Sequence, residues 1–117
     1  MKTILTGSVS AFAAALLLTV SAQAAEMLTD KNGMTLYTFD KDAGGVSACY
    51  DDCAAMWPAY TGKEGDAMEK DWALAKRTDG TMQWTYDGKP LYFYAEDKAK
   101  GDANGDGKGG VWHIIKE

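Results

Sequence analysis

From residue 26 onward, hydrophobic and polar residues alternate in short runs that are separated by glycine-containing turn signals. Residues 27–29 and 34–39 are two such runs, and they flank the dipeptide Asn32-Gly33. Asn-Gly favours a type I′ turn because both residues tolerate a positive φ. The pattern therefore predicts a β-hairpin at the start of the folded chain.

A second group of runs predicts a three-stranded antiparallel meander, because each run is followed by an Asp-Gly turn signal or by the end of the pattern. Within the middle run, Met82, Trp84 and Tyr86 share one face, while Gln83 and Thr85 share the other. The three runs are residues 73–78, 81–86 and 90–94, separated by Asp79-Gly80 and Asp87-Gly88.

Two glycine-rich or charged segments without periodicity, 61–71 and 95–110, predict surface loops. The β-branched residues of 111–115 predict a final strand, in which Trp112 and His113 face opposite ways. The sequence thus indicates a mainly β fold, a small antiparallel domain over residues 25–117.

One short helix is predicted after Ser47, whose hydroxyl is suited to an N-cap position. Asp51 and Asp52 would then lie in the first turns, where the helix dipole favours negative charge, and Pro58 would prevent continuation. Three apolar residues at i, i+4 and i+7 predict a buried stripe on this helix. They are Cys49, Cys53 and Met56.

The first 24 residues have the three parts of a secretory signal peptide: Lys2, an apolar run at 11–20, and small residues ending at Ala24. We expect cleavage after Ala24 and not a retained membrane anchor, since the apolar run is shorter than a spanning helix requires. No second apolar stretch follows in the sequence, so we expect no transmembrane segment in the remaining chain. No cysteine lies near this site to accept a lipid, so the expected product is periplasmic or secreted and not lipid-anchored.

The balance of 12 basic against 17 acidic residues, a net charge of −5, argues against nucleic acid as a partner. An aromatic content of 11% argues equally against disorder. The chain is therefore expected to fold around a single modest core.

The chain contains an internal repeat with an offset of 55 residues. Residues 33–42 align with 88–97, so that Tyr37 coincides with Tyr92 and Asp42 with Asp97. The same offset places Trp57 on Trp112. Two copies in so short a chain predict one pseudo-symmetric domain with halves at about 27–60 and 81–115.

The repeated Gly-x-x-Leu-Tyr-x4-Asp pattern, with Cys49-x3-Cys53-x3-Trp57-Pro58 between its copies, resembles the secreted-repeat lipoprotein family of unknown function and its Y-x-(F/W/Y)-x-x-D motif. The resemblance covers roughly residues 27–115. It implies no reaction, because that family has none assigned, and the lipid-accepting cysteine of the family is missing here.

Cys49 and Cys53 are the two cysteines of the chain, and an even count in an oxidising compartment predicts a disulfide. Its role is structural in one interpretation. In the other the pair is redox-active, since thiols near a helix N-terminus have a lowered pKa. The spacing of three intervening residues and the neighbouring aspartates favour the structural role.

Tyr37, Asp42, Tyr92 and Asp97 form the repeated set of polar side chains, and two roles are open for them. They could line a ligand groove, with aromatic rings stacking on a sugar or peptide and carboxylates bonding its polar groups. They could instead be structural, each Asp accepting backbone N–H bonds and each Tyr packing with its hydroxyl satisfied. Repetition in both halves favours the structural role.

Asp102, Asn104 and Asp106 match the first half of a calcium-binding loop, with Gly107 at the turn. The second half departs from the pattern, because His113 stands where a bidentate glutamate is required. We expect no cofactor, because Asp, Asn and Gly are common in turns and these residues can form a plain turn. Calcium binding at this loop is the alternative. A copper or haem site combining His113 with a methionine is a weaker candidate.

No nucleophile elbow, phosphate-binding glycine motif or distinctive carboxylate pair is present, so the sequence favours a protein that is not an enzyme. The leading hypothesis is a periplasmic or secreted binding or envelope-interaction domain whose partner is an unknown periplasmic protein or small-molecule ligand. The alternative is a redox or metal-handling protein that uses Cys49 and Cys53, or a cation at residues 102–106.

Overall fold

The computed structural model of this protein describes residues 26–66 and 68–116. The signal peptide predicted for residues 1–24 lies outside the described residues. Within the described part, no helix is long and apolar enough to cross a membrane.

The described chain is mainly β, as the sequence predicts, and its elements are short. The strands are β1 (Tyr37–Phe39), β2 (Thr61–Gly62), β3 (Trp72–Lys76), β4 (Met82–Tyr86), β5 (Lys89–Pro90) and β6 (Trp112–Ile114); the helix α1 spans Asp52–Met56, and one 3₁₀ turn spans Lys108–Gly110.

The strands form two antiparallel sheets. In the first, β1 pairs with β6, which places Phe39 opposite Trp112. In the second, β4 is central: β3 pairs along one side, while β2 and β5 pair with different parts of the other side. The second repeat therefore contributes strands to both sheets, β6 to the first and β4 and β5 to the second.

Strand β2 lies in segment 61–71, so the prediction of a loop for the whole segment is wrong at Thr61 and Gly62. A strand of two residues is too short to show the alternation of hydrophobic and polar residues that predicts strands. A side chain at Gly62 would place its Cβ 2.6 Å from Nε1 of Trp84, so the close approach of β2 to this indole requires glycine.

The predicted meander is found with a shortened third strand, because only Lys89 and Pro90 pair with β4. Tyr92 then forms bridges with Tyr37 and Ala59 instead. The type I′ turn is present at Asp87-Gly88, where φ is positive at both residues (51° and 80°).

The first hairpin exists as a short ribbon, with a bridge between Thr29 and Thr35. The prediction of a type I′ turn is wrong here, because φ is positive only at Gly33. The Asp30 carboxylate accepts bonds from the backbone N–H groups of Asn32 and Met34, which stabilises a longer loop.

Helix α1 begins later than predicted and is shorter. Its N-cap is Asp51 rather than Ser47, whose hydroxyl takes tertiary partners instead. The predicted buried stripe is also wrong: Cys49 is fully buried but precedes the helix, and Met56 is 40% exposed.

The core consists of two clusters. An aromatic cluster contains Tyr37, Cys49, Trp57, Tyr92, Tyr94 and Trp112. An aliphatic cluster contains Leu28, Leu36 and Leu91, with half-buried aromatic residues packed against it. Leu36 and Leu91, like Tyr37 and Tyr92, are repeat-equivalent, so each repeat contributes matching residues to both clusters.

Candidate functional site

The two repeats meet at Tyr37 and Tyr92. The backbone N–H of each tyrosine donates to the carbonyl oxygen of the other, over 2.8 and 3.0 Å. Both side chains are fully buried. The pseudo-symmetry inferred from the sequence therefore has a physical centre, at which equivalent residues pair.

The tyrosine hydroxyls cross between the repeats. Tyr37 donates to Oδ2 of Asp97 over 2.6 Å, and Tyr92 donates to Oδ2 of Asp42 over 2.8 Å. The sequence motif places each tyrosine five residues before an aspartate of its own repeat, but each one bonds to the aspartate of the other repeat. We call these four residues the cross-repeat quartet.

The second carboxylate oxygen of each aspartate holds the loop that follows it. Oδ1 of Asp42 accepts from the N–H of Ala48 over 2.7 Å, and Oδ1 of Asp97 accepts from the N–H of Asn104 over 2.9 Å. Each aspartate thus connects the loop that follows it to the tyrosine of the other repeat.

Burial raises the pKa of both tyrosines well above the usual 10, and the bonds to Asp97 and Asp42 act in the same direction. Both phenols are therefore neutral donors at physiological pH. Burial also raises the pKa of the Asp42 carboxyl, against the opposing effects of its bond from Tyr92 and the charge of Arg77.

A column of four stacked rings packs beside the quartet. The indoles of Trp57 and Trp112, which are repeat-equivalent, stack with centroids 3.8 Å apart and planes 3° apart. Tyr94 stacks on Trp57 and Phe39 stacks on Trp112, and these two residues are repeat-equivalent as well. The column is thus symmetric about the same centre.

Cys49 and Cys53 form a disulfide, with their Cα atoms 5.2 Å apart. Cys49 is fully buried and Cys53 is half-buried. The bond ties the segment before α1 to the helix itself.

Arg77 is a buried cation that the sequence analysis did not single out. Its guanidinium donates to the hydroxyl of Ser47 (3.0 Å), to Oε1 of Gln83 (2.8 Å) and to the carbonyl oxygen of Cys49 (2.8 Å). The hydroxyl of Ser47 lies 2.5 Å from that of Tyr92. A chain of hydrogen bonds therefore runs from Arg77 to the Asp42 carboxylate.

The proposed calcium residues lie in the loop after Asp97. Oδ2 of Asp102 accepts from the N–H groups of Lys98 and Ala99, and Oδ1 of Asp106 accepts from that of Ile114. Asn104 contributes its backbone N–H to Asp97. Calcium binding by Asp102, Asn104 and Asp106 stays a prediction.

His113 lies on the outer side of β6, opposite in direction to the buried Trp112. Its Nε2 is 2.8 Å from Oδ2 of Asp40, and both side chains are about half exposed. This pair connects β6 to the loop after β1.

A cleft lined by aromatic rings opens on another face of the molecule. Its two connected parts have volumes of about 370 and 560 Å³ and share Asp30, Lys31, Tyr60 and Trp84. Trp72 and Glu69 line the first part; Asp66 and Phe93 line the second. We call this the aromatic cleft.

The rings of the aromatic cleft pack against the aliphatic cluster and stay partly exposed. The Trp72 and Trp84 centroids are 5.8 Å apart with planes at 86°, and Tyr60 lies 6.3 Å from Trp84. The alternation of residues in β4 shows that Trp84 and Tyr86 share a face. No local pattern indicates that Tyr60 and Asp30 lie beside Trp84, so the sequence analysis missed the cleft.

Three carboxylates and one ammonium group line the cleft: Asp30, Asp66, Glu69 and Lys31. Burial raises the pKa of the Tyr60 hydroxyl, and the charges of Asp30 and Asp66 raise it further. Two of the three carboxylates thus lie close enough to act on this hydroxyl.

A family model described as a secreted repeat of unknown function matches the chain twice, at residues 18–61 and 73–116. The matches begin 55 residues apart, the offset of the repeat found in the sequence. No curated protein and no solved structure matches the chain.

Proposed function

Because the chain belongs to the family of secreted repeats of unknown function, we propose that it is a non-catalytic binding domain of the periplasm or the extracellular space. We further propose that its ligand binds in the aromatic cleft. The cross-repeat quartet is assigned a structural role in this proposal, since its hydroxyls and carboxylates bond to each other and to their own loops.

The observation that carries the proposal is the exposure of Tyr60, Trp72 and Trp84 around one cavity. A small domain gains stability by burying its large rings, as Trp57 and Trp112 are buried in the column. Three rings that remain partly exposed around a cavity of this size, together with a few polar groups, match the usual composition of a ligand site.

A non-catalytic role is supported by the states of the titratable groups. The tyrosines of the quartet are held neutral by burial, which makes them poor general bases near neutral pH. The single histidine of the chain is paired with Asp40 on the surface, away from the residues that line the cleft.

The redox alternative requires that a thiolate reach a disulfide sulfur. Cys49 is fully buried and Cys53 is half-buried, so burial restricts access to both sulfur atoms. We therefore propose that the disulfide has a structural role. The function of the protein in this proposal is ligand binding in the periplasm or outside the cell.

The test is a thermal-shift screen with mono- and disaccharides, dipeptides and small organic cations. We expect at least one class to raise the melting temperature of the wild-type protein and not that of Trp72→Ala. Met82→Ala is the matched control, because Met82 is a half-buried residue of the same sheet that does not line the cleft. A screen in which every class leaves the wild type unchanged, or shifts Trp72→Ala equally, contradicts binding in the cleft.

A further inference from the structure

We propose that the aromatic cleft binds a small organic cation with an alkylated ammonium group. This inference rests on the proposed function and adds the chemical class of the ligand. It follows from the angle between the two indoles, the carboxylates beside them and the size of the cavity.

The ring geometry disfavours a sugar platform. A pyranose stacks on one flat aromatic surface, but the planes of Trp72 and Trp84 are nearly perpendicular, at 86°. Tyr60 lines the same part, so three aromatic rings set at different angles border this cavity. Several aromatic rings around one site can recognise an alkylated ammonium group, because the ring faces are negative and the methyl groups of the cation pack against them.

The charges point the same way. Asp30 and Glu69 line the same part of the cleft as the two indoles, and Asp66 lines the adjoining part. Lys31 is the opposing charge at this site. Three carboxylates against one ammonium group leave a net attraction for a cation, and Lys31 provides an internal test of that attraction.

The size of the site favours a free solute. The part of the cleft that both indoles line has a volume of about 370 Å³, at the small end of ligand pockets, which suits a small molecule. A lipid head group carries the same chemistry, so the experiment must distinguish it from the free molecule.

The experiment uses choline and its uncharged isostere 3,3-dimethyl-1-butanol as probes. The chain has four tryptophans, so binding is followed by four indole N–H signals in a nitrogen-proton correlation spectrum. We expect choline to shift the signals of Trp72 and Trp84 saturably, and to leave those of the buried Trp57 and Trp112 in place. The affinity for choline should exceed that for the isostere by about 10-fold.

Variants that change one charge test whether the carboxylates of the cleft attract the cation. Glu69→Gln should weaken choline binding by about 3-fold, and Lys31→Gln should strengthen it by a similar factor, since each removes one unit of charge near the site. Lys89→Gln, an exposed lysine outside the cleft, is the matched control and should change nothing.

Equal binding of both probes at Trp72 and Trp84 would contradict the proposal that the ligand is a cation, but the cleft would remain a binding site. Absence of any shift with choline would also contradict that proposal, and the screen above then decides separately whether the cleft binds anything. Co-sedimentation with phosphatidylcholine vesicles, without a response to free choline, would replace the free solute by a lipid head group and overturn the inference as stated.

Discussion

The hydroxyl of Tyr37 donates a 2.6 Å hydrogen bond to Oδ2 of Asp97, a residue of the other repeat. The equivalent bond runs from Tyr92 to Asp42. Because each motif is completed only by the other copy, neither repeat satisfies its buried polar groups alone. This exchange gives the two copies a physical reason to fold together.

A double-mutant cycle tests the exchange. Tyr37→Phe and Asp97→Ala should show a coupling of about 1–2 kcal/mol in the free energy of unfolding, because they remove the donor and the acceptor of one buried bond. The matched cycle combines Tyr37→Phe with Asp42→Ala, the aspartate of the same repeat, and should be additive to within about 0.5 kcal/mol. Urea unfolding measures both cycles. Equal coupling in the two cycles would contradict the crossed arrangement.

Alkaline pH should destabilise the fold through Tyr37 and Tyr92. Their pKa values are raised in the folded state above the ordinary value of 10. A raised pKa contributes stability that is present below pH 10 and is lost as the pH rises from 10 toward the folded value.

Urea unfolding from pH 8 to 11 measures this loss. Tyr92→Phe should be less stable at pH 8 but should lose less on going to pH 11, because one titrating group is gone. Tyr86→Phe, which changes a half-buried tyrosine outside the quartet, is the control and should follow the wild type. If the unfolding free energy of Tyr92→Phe fell with pH as steeply as that of the wild type, the proposed link between tyrosine ionisation and stability would be wrong.

Removing a central ring of the column should be costly. Trp112→Ala deletes an indole that is only 6% exposed and stacks on two rings, so we expect a loss of about 3–5 kcal/mol. Trp112→Phe should retain part of the stacking and remain folded. The comparison is Trp72→Ala, where removing a partly exposed indole should cost about 1–2 kcal/mol. Similar losses at positions 72 and 112 would argue against the column as the main core.

The disulfide should be a modest structural element. Its loop is short, so the chain-entropy estimate for Cys49→Ala/Cys53→Ala is a loss of about 2 kcal/mol. Urea unfolding with and without dithiothreitol measures it, and the double variant should not respond to the reductant. Rapid reduction of the native wild type by mild reductant, without unfolding, would instead support the redox alternative.

Arg77 should contribute more stability than any exposed lysine. Arg77→Met keeps most of the aliphatic stem but leaves the Cys49 carbonyl and Gln83 without a donor that they use in the native state. We expect a loss of about 2–4 kcal/mol. Lys76→Met, an exposed change at the adjacent residue, should alter stability by about 0.5 kcal/mol or less. A small effect at Arg77 would mean that water replaces the guanidinium.

Local sequence patterns predicted the features that depend on neighbouring residues. Asp87-Gly88 specifies its own turn, since both residues accept positive φ without tertiary help. The alternation in 81–86 and 111–115 predicted strands β4 and β6. The two repeats were also visible, because a repeat is a property of the sequence alone.

Ser47 illustrates what local patterns could not decide. A serine before a polar turn is suited to an N-cap, but its hydroxyl gains more from Tyr92 and Arg77, which are distant in the chain. Distant partners of this kind are invisible until the chain is folded. At Asn32-Gly33 the competing partner is local: the Asp30 carboxylate accepts from the backbone N–H groups of Asn32 and Met34 and favours another turn.

The sequence by itself determined the mainly β class, the repeat and the identity of the residues that each copy contributes. Tertiary structure alone decided that each tyrosine bonds to the aspartate of the other copy, and that Tyr60, Trp72 and Trp84 surround one cleft with Asp30. The physical reason is that hydrogen bonding and ring packing select partners by distance in space. A motif records only distance along the chain.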